Sequence, residues 1–170
     1  MMRFTLATGL RESNVTQLAW SHINLPQRQA WIHADLTKSK RSIAVSLNDN
    51  AMAILRRQVG KNENRVFTYK GDGVSTANTR AWRNALEREG IKDFRWHDLR
   101  HTWASWHAQS GTPLHVLQEL GGWSSSDMVR RYAHLSQQHL ASYADNVCEK
   151  VVTNWSHSQK SPANVKRRRA

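Results

Sequence analysis

Between Trp96 and Leu135 the apolar residues keep helical spacing, broken only at Ser110-Gly111-Thr112-Pro113 and at Gly121-Gly122. That feature commits this part of the chain to stacked helices. In HDLRHTWASWHAQSG the spacing places Leu99, Trp103 and Trp106 on one face. Thr112 followed by Pro113 starts the next helix, with Pro at its first position. Leu114, Leu117 and Leu120 make its stripe, and the Gly pair stops it. A further helix is predicted to carry Met128, Val129 and Tyr132, and another to run from near Ser136 to about Val151.

Upstream the pattern changes. A few residues that end a helix precede SNVTQLAW, where Ser13 is a plausible N-cap and Val15 and Leu18 follow at helical spacing. In QAWIHADLTKSKRSIAVSL two runs rich in Trp, Ile and Val flank the polar turn TKSKRS, which predicts a β-hairpin. Asn48 or Asp49 caps AMAILRRQV and Gly60 ends it. A short strand is predicted over Val66 to Thr68, and Ser75 then caps a helix running to Gly90. The fold class expected is α+β, mostly helical, with a small antiparallel sheet near the N-terminal third.

Length and charge narrow the function classes. A chain of 170 residues with 39% hydrophobic residues suits one globular domain or a domain plus a tail. Its formal charge of +12, nine histidines uncounted, points to a polyanionic partner, and nucleic acid is the commonest. Cys148 is the single cysteine, so neither an intrachain disulfide nor a thiolate metal cluster can form. No H-E-x-x-H motif is present, and MMRFTLATGLRESN lacks the apolar run of a signal peptide or membrane span. No metal, no cofactor and no membrane are expected, and the default location is the cytoplasm, in association with DNA.

Five stretches hold polar residues that helical periodicity leaves unexplained: TGLRESN, TKSKR, WHDLRH, GGW and RRYAH. Each has a bland reading. Arg11 at a helix start suits a surface charge, Lys38, Lys40 and Arg41 suit a solvated turn, and Trp123 suits a hydrophobic plug. His97 and Arg100, at i,i+3, suit a polar helix face. Tyr132 alone reads as a core tyrosine. Together and in order, however, they resemble the active-site boxes of the tyrosine recombinases, the phage integrase family. TGLRESNVTQLAW is similar to that family's first arginine box and HDLRHTWAS to its His-x-x-Arg box. LGGWSSSDMVRRYAHL is similar to its final box, with Trp123 nine residues before Tyr132. The resemblance runs from about Thr5 to Leu140.

The resemblance implies a tyrosine-recombinase catalytic-domain fold and a role for each residue. Arg11 and Arg100 clamp the scissile phosphate, and Lys38 protonates the leaving 5′-oxygen, with Lys40 a competing choice. His97 is a general acid/base, Trp123 donates to or packs beside the phosphate, and Tyr132 attacks phosphorus to give a 3′-phosphotyrosyl link. Two departures from the family pattern stand out. Trp123 holds a position where histidine is usual, so its indole N–H donates but cannot shuttle a proton. Asn14 replaces a usual glutamate three residues after the first arginine, which removes a charge that would orient Arg11. Residues 1–151 are expected to be the catalytic domain, without the helical core-binding domain that usually precedes it, and residues 152–170 a flexible basic tail. Double-stranded DNA is the implied partner, with a homotetramer on DNA in the full-length context. The alternative is a truncated, catalytically silent DNA-binding remnant.

Overall fold

A computed structural model describes the chain over residues 1–34 and 42–136. Helix α1 (Met2–Thr8) ends on Gly9, whose φ of 67° lets its N–H reach back to the Thr5 carbonyl. Helix α2 (Glu12–Thr16) follows at once. A three-stranded antiparallel sheet comes next, built from β1 (Ile23–Asn24), β2 (Gln29–Ile32) and β3 (Ile43–Ser46) in the order β1-β2-β3. Ala30 pairs with Val45 and Ile32 with Ile43, so these four side chains face the core while Trp31 and Ala44 face out. The expected hairpin is therefore present, and β1 adds an edge that the sequence did not announce.

Helix α3 (Asp49–Arg56) is capped by Asn48, whose side chain accepts from the Ala51 N–H at 2.9 Å. The small hairpin β4 (Thr68–Tyr69) and β5 (Asp72–Gly73) leads to α4 (Arg80–Arg88). The last part holds α5 (Asp98–Gln109), α6 (Leu114–Gly121) and α7 (Asp127–Arg130), then a 3-10 turn over Ala133–Ser136. Two larger cores result. Phe4, Val15, Leu18, Ile32, Leu55 and Val66 join α1, α2, the sheet and α3. Trp103, Ala104, Leu117, Val129 and Tyr132 join α5, α6 and α7. Contacts of α1 with α5 tie the two halves together.

Several boundaries depart from the sequence reading. Arg11, not Ser13, is the N-cap of α2, because the turn released by Gly9 brings the chain into helix two residues earlier. Helix α3 stops at Arg56, and Gly60 (φ 81°) lies in the turn beyond. Val66 donates to the Leu18 carbonyl, so the β4 ladder starts only at Thr68. Thr79 rather than Ser75 caps α4, accepting from the Trp82 N–H. Ser75 is excluded because Glu12 holds the residues after it: its carboxylate accepts from Thr76 Oγ1 and from the Ala77 and Asn78 N–H groups. Trp106 is 52% exposed although Leu99 and Trp103 on the same face are buried. The helix face continues, but α1 and α3 leave Trp106 at the rim of an open groove beside Leu6 and Ile54. The helix expected from Ser136 to Val151 and the tail at 152–170 lie outside the described residues.

Gly9 illustrates how tightly the two halves meet. A Cβ on this residue would enter the Trp103 ring, and a positive φ already disfavours any other residue. Gly9→Ala is expected to cost about 2–4 kcal/mol, combining left-handed strain with overpacking. Urea denaturation of the variant against the wild-type chain measures this directly.

Candidate active site

Two tight turns and one helix position the site. Gly9 frees the chain to place Leu10 in the core and Arg11 at the start of α2. At the other end Gly122 (φ 62°) caps α6, and the Trp123 N–H returns to the Gln118 carbonyl at 3.1 Å. The Gln118 amide donates to the Trp123 carbonyl, which pins that residue from both sides. Between the two turns runs α5, with His97 at its N-cap and Arg100 and His101 in its first turns.

Arg100 links these pieces. It is 4% exposed, and its guanidinium donates to the Gly9 carbonyl at 2.6 Å and the Gly121 carbonyl at 2.7 Å. Its carbon lies 4.1 Å from the centroid of the Trp123 ring, a cation–π stack. Among the described residues no carboxylate forms an ion pair with it. Burial and the nearby Arg11 charge push its pKa down to about 10, with Tyr132 opposing. It stays protonated at neutral pH, as a buried cation held by carbonyl dipoles and an aromatic face.

Arg11 and His97 line one cleft of about 340 Å³ with Glu12, Ser13, Thr16 and Ser75. Burial lowers the His97 pKa, and His101, Arg100 and Arg11 lower it further against the opposing pull of Asp98. The His97 and His101 rings meet edge to face, centroids 4.9 Å apart. His101 is likewise held below its usual pKa, first by burial and then by Arg131, with Asp98 opposing. Both imidazoles are thus biased toward the neutral form.

Tyr132 closes the arrangement. Its ring, 5% exposed, belongs to the core of α5, α6 and α7 and lies 6.1 Å from the Trp123 ring. The hydroxyl is not sealed in hydrocarbon: it meets Nδ1 of His101 at 2.6 Å. Burial raises the phenol pKa, while the Arg131 and Arg100 charges pull it back. Both readings of this tyrosine are therefore satisfied at once, since the ring packs and the oxygen is presented to a polar cluster.

The structure thus brings Arg11, His97, Arg100, Trp123 and Tyr132 into one region. Lys38 and its competitor Lys40 lie outside the described residues. The sequence reading missed His101 and Glu12. The signal for His101 was available, because it follows His97 by four residues and so shares its helix face. Glu12 gave none, since its partners lie more than 60 residues away. Asn14, where the family usually has glutamate, is buried. Among the described residues no group of His, Cys, Asp and Glu is placed to hold a metal ion, and no helix is long and apolar enough to cross a membrane.

A helical domain with a small sheet thus gathers two arginines, two imidazoles, an indole and a presented phenol in one region. The phage integrase family model matches residues 1–139, and the chain belongs to that family. It is 48% identical to the integrase of Salmonella phage P22 over 176 aligned residues, covering 94% of this chain and 45% of that integrase. It therefore spans less than half the length of that relative. The catalytic domain of bacteriophage HP1 integrase matches in three dimensions with a TM-score of 0.65 and 30% identity, over 85% of this chain and 78% of that domain. XerH site-specific recombinase, bound to palindromic difH substrate in a post-cleavage complex, matches the fold with a TM-score of 0.61 at 23% identity, over 85% of this chain and 44% of its own.

Proposed function

We propose that this chain cuts and rejoins DNA strands in site-specific recombination, integrating or excising phage DNA through a 3′-phosphotyrosyl intermediate. The observation that carries this reading is the buried Arg100, which has no carboxylate partner among the described residues and is electrostatically coupled to both Arg11 and Tyr132. A buried guanidinium coupled to a second, half-buried one is suited to an anion, and a backbone phosphate is the anion that a chain of charge +12 meets on DNA.

In this reading Arg11 and Arg100 neutralise charge spreading over the equatorial oxygens as the phosphoryl group transfers. Tyr132 supplies the attacking oxygen. Trp123 braces Arg100 through its ring face. His97, neutral and in the same cleft as Arg11, serves as acid/base at the phosphate. Lys38 protonates the leaving 5′-oxygen. No metal ion or cofactor takes part in these steps. The covalent link conserves the phosphodiester energy, so rejoining requires no nucleotide cofactor. In the full-length context four protomers would assemble on two duplexes.

The test is covalent capture. The 170-residue chain is incubated with a pool of nicked duplexes, randomised around the nick, so that the cleaved fragment diffuses away. A DNA adduct that survives denaturing electrophoresis is the expected result. Salt-dependent binding to the same pool without any adduct would instead make the chain a DNA-binding remnant.

A further inference from the structure

We propose that His101 is the base that takes the phenolic proton of Tyr132 as its oxygen attacks phosphorus; the proposal rests on reading Tyr132 as the nucleophile. Geometry is the first support. The 2.6 Å separation of Nδ1 from the Tyr132 oxygen is short even among hydrogen bonds to hydroxyl groups. The direction of that bond follows the imidazole tautomer, which the neighbouring charges bias. Arg131 and Arg100 act on the phenol oxygen as positive charges, and a guanidinium has donors only. The phenolic O–H therefore needs an acceptor, which His101 Nδ1 provides when the ring carries its proton on Nε2.

The groups around His101 keep it in that neutral form. From its own helix and the approach to it come His97, Asp98, Arg100 and Arg95, and from the segment after α7 come Arg131 and Tyr132. His134, on the next 3-10 turn, is exposed. Only Asp98 among them is acidic. It is held by Arg95, whose backbone N–H donates to it at 2.7 Å and whose guanidinium lies 3.2 Å away.

The step balances. The Tyr132 O–H bond breaks and its proton goes to Nδ1 of His101, while the phenolic oxygen bonds to phosphorus. The bond from phosphorus to the 5′-oxygen breaks, and that oxygen takes a proton from the Lys38 ammonium. On rejoining, the 5′-hydroxyl returns its proton to the lysine, attacks phosphorus and expels the phenol, which recovers its proton from the His101 imidazolium. In the resting protein the transfer is uphill, because a phenol holds its proton far more tightly than an imidazole does. It becomes favourable as the new bond forms, since a phenolic oxygen bonded to phosphorus is no longer basic. That is general-base catalysis, typically worth on the order of 10²–10⁴ in rate.

The experiment measures the initial rate of adduct formation on the nicked duplex pool for the wild-type chain, His101→Ala, His101→Gln and Tyr132→Phe, from pH 5 to 9. The wild-type rate is expected to be flat above the His101 pKa, which burial and Arg131 hold below the usual imidazole value, and to fall tenfold per pH unit beneath it as the base is protonated. His101→Ala is expected to be slower at pH 7.5 by a factor on the order of 10²–10⁴. Its rate should climb tenfold per unit toward pH 9, because the phenol must then ionise unaided. His101→Gln, which offers an acceptor oxygen but holds no proton, should match the alanine variant. A substrate with sulfur in place of the bridging 5′-oxygen leaves without a proton, so it should rescue neither variant. A flat profile for His101→Ala, full rate in His101→Gln, or rescue by sulfur would overturn the proposal and leave the nucleophile standing. An adduct formed by Tyr132→Phe would overturn the nucleophile itself.

Discussion

Tyr132→Phe is expected to form no covalent DNA adduct while binding DNA as the wild-type chain does. The substitution removes one oxygen from a ring that stays in place, because that ring is held by Trp103, Leu117, Trp123 and Val129 in the core of α5, α6 and α7. Loss of a nucleophile that acts as a unit with its partners lowers rates on the order of 10⁶, which puts the variant at background. Stability should change little. One hydrogen bond to His101 is lost, a change of about 1 kcal/mol. DNA retention on a native gel, adduct on a denaturing gel and the urea midpoint together check the claim. An adduct that persists in the variant would require another nucleophile.

The position of that oxygen shows where sequence reading stops. Helical spacing places Met128 and Tyr132, four residues apart, on one face. In the structure α7 ends at Arg130 and the Tyr132 N–H bonds the Val129 carbonyl, three residues back. That tightening toward 3-10 geometry brings positions three apart onto one side. Val129 and Tyr132 are therefore buried together, and Met128 is 46% exposed. By contrast, the stops at Gly9 and Gly121-Gly122 are local events set by left-handed backbone, and the Gly pair was legible from sequence. The order of Arg11, His97, Arg100, Trp123 and Tyr132 was legible through resemblance, because the spacing within each box is local. What joins the boxes was not. The bonds from Arg100 to Gly9 and from Glu12 to residues 76–78 cross 91 and more than 60 residues, and no periodicity encodes them. Ser75 was misread as a cap for the same reason.

Arg100→Ala is expected to damage both cleavage and folding, and the two losses separate experimentally. For cleavage, removing one preorganised donor aimed at developing charge typically costs on the order of 10²–10³ in rate. The loss here should reach the upper part of that range, because Arg100 also keeps Trp123 and the turn carrying it in place. For folding, the guanidinium satisfies the Gly9 and Gly121 carbonyls, which belong to two buried residues far apart in sequence. Charge-assisted bonds of this kind are worth about 1.5–3 kcal/mol each. A destabilisation of about 3 kcal/mol is therefore expected from urea denaturation, after allowance for the cost of burying the charge in the wild-type chain. Arg100→Lys separates the effects. A single ammonium keeps the positive charge and can reach one carbonyl, so it should recover part of the stability. It cannot reproduce the planar fork or the stack on Trp123, so adduct formation should remain at least tenfold below wild type at a temperature where both proteins are fully folded. If Arg100→Lys instead cleaved at the wild-type rate, Arg100 would be a structural staple between two turns, and the task of neutralising the phosphate would fall to Arg11 alone.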